Sequence, residues 1–417
     1  MNKKKYNIID TLLKRGFIYQ STNLEKLRNL CEKKISVYIG FDCTAPSLHV
    51  GSLVQIMLLR QLQQHGHTPI IVIGKSTTKI GDPSGKDKVR KVLPDATVEK
   101  NFSAIKSLLG SFLSWEVSNK PIILDNSLWF KNLTYLDFLK DFGKHFSINR
   151  MITFESVKSR LDREQPLSFL EFNYMLLQSY DYYKLQQEHG CILQIGGSDQ
   201  WGNIISGIDL VRKMTGKTVY GLTTPLLVTS SGIKMGKTEE GAVWLSEKMV
   251  SHYDYWQFWR NVSDSDLIKF LYLFTELSPE LIQTYSSRKG KDLNDVKIIL
   301  ANEATKICRG TQAAQQAEET AASTFYEQKI CLNLPRFQIT DEMLSQKVAL
   351  FQLMTNSNLA KTNSESKRLI ESRAVKINDQ LVEDKFFLVE ERLFINDIMK
   401  ISVGKKKSKL IIKSSRK

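Results

Sequence analysis

Two short runs combine residue types suited to phosphate chemistry. The first, YIGFDCTAPSLHVGS from Tyr38 to Ser52, leads from an apolar stretch through a turn at Pro46 into an apolar helix expected to begin near Ser52. An imidazole at a helix N-terminus, His49 beside Gly51, can hold a phosphate or a developing negative charge, because backbone N–H groups there point outward. A histidine that only caps its helix is the plainer alternative. The second run, KMGKT from Lys234 to Thr238, lies on a segment opened by Ser230, Ser231 and Gly232 and closed by Gly241. Two ammonium groups three residues apart on such a segment can neutralise the charge of a departing pyrophosphate, though a solvated lysine loop has the same composition. A third constellation, Tyr174, Gln178 and Asp181, falls at helical spacing i, i+4 and i+7 and shares one narrow face. Leu170, Phe172, Met175, Leu177 and Leu185 surround that face, which predicts a buried helix whose amide and carboxylate need partners. A bound ligand would supply them; an internal hydrogen-bond network would serve equally.

These groups must be held by a framework, and the chain is long enough for two or three domains at 417 residues. Up to Leu245, short β-rich runs alternate with helical stretches, the pattern of a parallel sheet covered by helices. Strands are expected at Val37 to Phe41, Ile70 to Gly74, Pro121 to Leu124 and Ile192 to Gly196. Ligands of doubly wound folds sit beyond the carboxyl ends of the strands, so the loops after these runs are where chemistry belongs. The expected α/β organisation is a Rossmann-like parallel-sheet catalytic domain over 1–245, an α-helical domain over 246–329, a linker over 330–342 around Pro335, and a small C-terminal α/β unit over 343–417.

Composition narrows the class. Hydrophobic residues at 42% and charged residues at 25% describe an ordinary globular chain. A net charge of +15 favours a polyanionic partner, although a Lys- and Asn-rich codon bias would give the same excess. Cys31, Cys43, Cys191, Cys308 and Cys331 are scattered and form no C-x-x-C pair, so neither a disulfide framework nor a protein-held metal is expected. Asp10 and Lys14 interrupt the apolar part of the N-terminal stretch, which reads as an amphipathic helix and not a signal peptide. No window approaches the roughly 18 apolar residues of a membrane span, and a cytoplasmic location is expected.

The two signature runs, in this order and about one α/β domain apart, resemble the HIGH and KMSKS motifs of class I aminoacyl-tRNA synthetases. The chain is similar to the tyrosyl-tRNA synthetase family over nearly its whole length. Besides the Tyr38 to Ser52 run, the resemblance rests on IGDPSGK from Ile80 to Lys86, FLEFNYMLLQSYD from Phe169 to Asp181, QIGGSDQWGN from Gln194 to Asn203, GAVWL from Gly241 to Leu245, and SESKRLIESRAVKIN from Ser364 to Asn378. It implies an enzyme that forms tyrosyl-adenylate from L-tyrosine and ATP and then esterifies tRNA(Tyr). It implies that Tyr38 and Asp181 read the phenol hydroxyl, that Asp82, Tyr174 and Gln178 hold the ammonium group, and that Gln200 and Asp199 meet the substrate carboxylate or the ribose. Gly40, Asp42, Thr44, His49, Gly51 and Ser52 would line the ATP site, with Thr44 and His49 steadying phosphates. Lys234, Lys237 and Thr238 would grip pyrophosphate together with Mg²⁺. Lys86 and Arg90 match positions that meet the acceptor stem, while Lys367, Arg368 and Arg373 lie in an RNA-binding fold. Segment 149–169 would help form a homodimer.

Two departures stand out. Ser52 replaces the second histidine of HIGH, and Ser372 and Arg373 stand where the RNA-binding fold usually has glycine. Two rival readings remain at this stage: another class I enzyme, such as a tryptophanyl-tRNA synthetase or a nucleotidylyltransferase, or a degenerate synthetase retained as an RNA-binding module. Tyr38 and Asp181 speak against the first, the intact lysines of KMGKT against the second.

Overall fold

The fold is taken from a computed structural model that describes residues 7–84, 92–228, 230, 235, 237–238, 241–290, 292–326, 334–395, 397–404 and 407–413. Its contacts divide the chain into two compact units, the first comprising 1–238, 244–246 and 263–288, and the second 239–243, 247–262 and 289–417.

The first unit is built on a six-stranded sheet: β1 (Gln20–Ser21), β2 (Ser36–Asp42), β3 (Thr68–Gly74), β4 (Ile122–Asp125), β5 (Leu193–Gly197) and β6 (Tyr220–Thr224). The spatial order is β1-β6-β5-β2-β3-β4, all parallel except β1, which runs antiparallel to β6. All four expected strands are present within two residues at each end. β3 reads TPIIVIG and is buried at every position, as a strand covered on both faces requires. The chain adds β3 and β4 on one side of β2 and then returns to place β5 on the other, so the topological switch point lies between β2 and β5. Those two strands pair only at Val37 with Leu193 and Tyr38 with Gln194, and the ladder ends there, at the switch-point crevice where a doubly wound fold binds its ligand.

The contact partition follows different lines from the domain bounds expected from sequence. The stretch 246–329 does not act as one helical body. Helix Asp264–Phe274 buries Leu267, Phe270, Leu271 and Phe274 and packs on helices Val50–Gln64 and Ile8–Arg15 of the first unit. Arg15 donates to the carbonyls of Tyr272, Thr275 and Leu277 at 2.9, 2.9 and 2.5 Å, a second tie to the same segment. Helix His252–Arg260 instead buries Trp256 and Trp259 with helices Asp292–Arg309 and Thr311–Tyr326 in the second unit, where Trp256 Nε1 donates to Asn302 Oδ1 at 2.7 Å.

The expected linker is also partly structured. Arg336–Ile339 forms β9, parallel to β13 (Lys407–Lys413), in a five-stranded sheet with β10 (Val375–Ile377), β11 (Gln380–Leu381) and β12 (Ile398–Val403), ordered β11-β10-β12-β13-β9. Pro335 lacks an N–H, but its carbonyl accepts from Leu410 N at 2.8 Å, so it opens the strand without interrupting the ladder. Helices Leu350–Asn356 and Asn363–Glu371 cover this sheet over a core that includes Ile339, Leu350, Leu353, Ile370, Met399 and Ile401. Arg373 takes φ +61° just past the second helix, the left-handed conformation for which glycine is usual, so the turn keeps its form despite the substitution.

Candidate active site

At the β2/β5 switch point, six of the sequence-predicted residues, Asp42, Asp82, Tyr174, Gln178, Asp181 and Gln200, join two hydrogen-bonded arcs. The first arc starts at the end of β2. Asp42 Oδ2 accepts from the Tyr174 hydroxyl at 3.1 Å, and Asp42 Oδ1 accepts from Thr77 Oγ1 at 2.8 Å. Asn126 Nδ2 lies 3.1 Å from Thr77 Oγ1 and 3.2 Å from Asp181 Oδ2, donating to both, while Trp129 Nε1 donates to Asp181 Oδ1 at 2.8 Å. Asp42 thus stands with the Tyr174 group as well as at the start of the loop expected to meet ATP. The second arc runs from Asp82, whose Oδ2 accepts from Gln200 Nε2 at 2.7 Å, through Asn203, whose Nδ2 donates to Gln200 Oε1 at 3.1 Å and Gln178 Oε1 at 3.0 Å. Asp82 also closes an Asx turn by accepting from Ser84 N at 2.9 Å.

Helix Tyr174–His189 joins the arcs, because Tyr174, Gln178 and Asp181 are all buried on the face predicted from their spacing. Phe169–Phe172 forms a separate short helix with Leu170 exposed, so burial of the longer helix comes from Met175, Leu176, Tyr182 and Leu185. The separation follows from Ser168, which starts the short helix with a capping box to Glu171.

Burial dominates the electrostatics. Asp181 is 3% exposed, and desolvation lifts its carboxyl to about 8 against the opposing hydrogen bonds from Trp129 and Asn126. The Tyr38 and Tyr174 hydroxyls are pushed well above their ordinary value, first by burial and then by the neighbouring carboxylates. Tyr38 packs its ring 5.9 Å from that of Tyr182, and Asp181 is among the charges acting on its hydroxyl. A Cβ on Gly40 would fall 3.1 Å from the same hydroxyl, so a side chain there would press on the floor of the crevice.

On the phosphate side, His49 is itself the N-cap of helix Val50–Gln64, accepting from Gly51 N through Nδ1 at 3.0 Å. The helix therefore starts two residues before the expected Ser52, and the capping and phosphate-binding readings are compatible. With Nδ1 as acceptor, the neutral ring carries its proton on Nε2, so Nε2 is the ring's donor atom. Gly51 is required sterically: a Cβ there would lie 2.6 Å from the imidazole and 3.0 Å from the Met235 carbonyl. Thr44 is exposed on the loop after β2, held by Cys43 N donating to Thr78 Oγ1 at 2.8 Å and Asn101 Nδ2 donating to the Cys43 carbonyl at 3.0 Å. Asp199 lies in the 3₁₀ turn Ser198–Gln200 that follows β5. Lys237 and Thr238 form the short strand β7. Lys86, Arg90 and Lys234 lie outside the described residues. Lys367, Arg368 and Arg373 belong to the second unit, on and just after helix Asn363–Glu371. There the Lys367 ammonium lies over Phe351 at 4.3 Å, and Arg373 pairs with Glu383 at 3.1 Å.

Sequence reasoning missed Asn126, Trp129, Thr77 and Asn203. Asn126 directly follows β4, at the N-cap position of the short helix Ser127–Phe130 that carries Trp129, in one of the connections flagged as ligand-bearing, so the strand-end rule contained the signal. Thr77, after β3, falls under the same rule.

A profile describing tRNA synthetases class I (W and Y) matches residues 30–326. The chain is 52% identical to the tyrosine–tRNA ligase of Pelagibacter ubique, over 94% of this chain and 96% of that one. To the tyrosine–tRNA ligase of Rickettsia felis it is 49% identical, over 97% and 99%. Among solved structures, a C-terminally truncated mitochondrial tyrosyl-tRNA synthetase of Aspergillus nidulans aligns with TM-score 0.70 and 26% identity, covering 77% of this chain and 95% of that one. The corresponding Coccidioides posadasii enzyme aligns with TM-score 0.67 and 30% identity, covering 76% and 92%. With a crevice at the β2/β5 switch point, a capping histidine beside it and this similarity over nearly the full length, the chain belongs to the tyrosyl-tRNA synthetase family of class I aminoacyl-tRNA synthetases.

Proposed function

We propose that this protein activates L-tyrosine with ATP and transfers it to the 3′-terminal adenosine of tRNA(Tyr). The observation that carries the reading is the pair of hydrogen-bonded groups at the β2/β5 switch point: a buried carboxyl, Asp181, suited to a phenol, and the Asp82–Gln200–Asn203–Gln178 arc, suited to the amino acid head group. Asp181 and Tyr38 bond the phenol hydroxyl. Asp82, Tyr174 and Gln178 receive the ammonium group, and Gln200 and Asp199 address the carboxylate and the ribose. Phenylalanine would leave buried partners unpaired, and selection of tyrosine over phenylalanine is the standing illustration of that rule. Asn126 and Trp129 orient Asp181 without meeting the substrate.

Activation needs no general base. The tyrosine carboxylate is an anion at neutral pH; its oxygen attacks the α-phosphorus, and the bond to the bridging oxygen breaks to release pyrophosphate. The chain contributes position and charge. His49 Nε2–H and Thr44 meet phosphate oxygens, Gly40, Asp42, Gly51 and Ser52 line the nucleotide, and Lys234, Lys237 and Thr238 hold the departing pyrophosphate, with Mg²⁺ entering as part of the ATP substrate. In the second step a terminal ribose hydroxyl of tRNA attacks the adenylate carbonyl and AMP leaves. Lys86 and Arg90 serve the acceptor stem; Lys367, Arg368 and Arg373 serve the RNA backbone elsewhere.

A homodimer fits the exposed Leu136, Ile148, Ile152 and Phe169, an apolar set around segment 149–169 that a second copy would cover. No described helix is long and apolar enough to cross a membrane, and the compartment we assign is the cytoplasm, where tRNA charging takes place. Tyrosine-dependent exchange of labelled pyrophosphate into ATP tests the reading. Exchange driven equally by tryptophan would favour the other specificity of the matched family and overturn the tyrosine assignment.

A further inference from the structure

The segment carrying the two lysines is anchored by a carboxylate outside the substrate crevice. Ser230 precedes Lys234 by four residues, and its backbone N–H donates to Asp266 Oδ2 at 2.9 Å. Ser263 Oγ donates to the same oxygen at 2.8 Å, and the hydroxyls of Ser230 and Ser263 lie 2.9 Å apart. Asp266 sits in the first turn of helix Asp264–Phe274, 7% exposed, where Ser263 is the N-cap and accepts from Asp266 N at 3.3 Å. Helix capping accounts for the Ser263 contacts. It does not account for Ser230, thirty-six residues away in sequence. Burial works against the charged form of Asp266, but the bonds from Ser230 and Ser263 outweigh it and hold the carboxyl below its ordinary value, so the acceptor is an anion at neutral pH.

Beyond the lysine the backbone is fixed again, since Met235 N donates to the Leu227 carbonyl at 2.8 Å and Met235 O abuts Gly51 beside His49. Helix Asp264–Phe274 packs on helix Val50–Gln64, which His49 caps, and Glu276 just after it accepts from Arg60 and from Gln64 Nε2 at 2.6 Å. Both signature motifs are therefore referenced to one pair of packed helices. The geometry points to Asp266 as a positioning residue for adenylate formation: it fixes the Ser230 end of the segment so that Lys234 and Lys237 reach the pyrophosphate, and it touches no substrate itself. This rests on the activation reading above.

The test compares Asp266→Ala and Asp266→Asn in the full chain by pyrophosphate exchange, with equilibrium tyrosine binding and thermal unfolding alongside. Loss of a charged acceptor for a buried N–H predicts a fall in kcat of about tenfold or more in Asp266→Ala, with KM for tyrosine and tyrosine affinity unchanged. Asp266→Asn keeps an acceptor oxygen and recovers part of the rate. Combined with Lys237→Ala, Asp266→Ala costs little beyond the single lysine change, because both act through one segment. Multiplicative losses in the double variant, equal loss of tyrosine binding, or an unchanged kcat would each overturn the proposal. If Asp266→Ala does not fold, Asp266→Asn and Ser263→Ala carry the same comparison. Absence of exchange in the parent chain would refute the activation reading and this proposal with it, whereas normal parent exchange with unaffected Asp266 variants refutes the proposal alone.

Discussion

Replacing Asp181 separates stability from selectivity in a way that can be worked from its contacts. Asp181→Ala removes the acceptor of two buried donors, Trp129 Nε1–H and Asn126 Nδ2–H. Each buried donor left unpaired costs about 1–3 kcal/mol, so the variant loses about 2–6 kcal/mol from a total that for most domains is about 5–15 kcal/mol. Asp181→Asn keeps the volume and one acceptor oxygen, but its amide N–H faces one of the two donors, which limits the loss to about 1–3 kcal/mol. Selectivity follows the phenol. A hydrogen bond to a buried neutral carboxyl contributes about 0.5–1.5 kcal/mol, so the preference for tyrosine over phenylalanine falls by about 2- to 12-fold in Asp181→Ala and by less in Asp181→Asn. Urea unfolding gives the first quantity; kcat/KM for exchange with each amino acid gives the second. If Asp181→Ala is insoluble, Asp181→Asn carries both measurements. A soluble variant of either kind with the parent's stability and undiminished discrimination would refute the assignment of Asp181 to the phenol.

Three further outcomes are expected. Lys234→Ala and Lys237→Ala each slow adenylate formation severely, by about 100-fold if one charge-assisted contact to the leaving group is lost, while equilibrium tyrosine binding stays near that of the parent; unchanged exchange kinetics in both would contradict the role. Asp181 also predicts a pH dependence. Its folded value of about 8 lies above its unfolded 3.8, so the folded state keeps a proton that the unfolded chain releases, and unfolding free energy falls between about pH 4 and pH 8 and then levels. Asp181→Asn lacks that component, so the stability gap between variant and parent should shift in the variant's favour on going from acid to about pH 8; parallel urea midpoints across the range would count against a buried neutral carboxyl. Truncation before Leu334 should leave exchange almost intact and greatly weaken tRNA charging, with a flatter salt dependence of tRNA binding. That cut is preferable to one near Asp341, which would strand β9 without its partner β13; full charging by the truncated chain would remove the RNA-binding role from this part.

What the sequence made legible divides along physical lines. The strands β2 to β5 were readable because buried parallel strands are continuous apolar runs ended by Gly, Asp or Asn. The Tyr174–Gln178–Asp181 face was readable because helical periodicity is local. The link from Asn126 through Thr77 to Asp42 was not, since the segments at the ends of three different strands meet there and no local pattern records the meeting. Helix Val50–Gln64 begins two residues before the expected Ser52 because His49, through Nδ1, caps it directly. The helical stretch after Leu245 was read as one body because periodicity reports that a face is apolar but not which partner covers it; Arg15, far away in sequence, ties helix Asp264–Phe274 to the first unit. β9 was hidden because Pro335 and a short, half-exposed strand carry little alternation.

Pyrophosphate exchange on the purified full chain with each of the twenty amino acids in turn, followed by single-turnover transfer to tRNA(Tyr), decides whether the β2/β5 crevice is a tyrosine-activating site. Exchange with tyrosine alone at appreciable rate is expected, with transfer of the resulting tyrosyl group to the 3′ end of the tRNA. Exchange that needs no tyrosine, that runs equally with phenylalanine or tryptophan, or that is absent altogether would contradict that role.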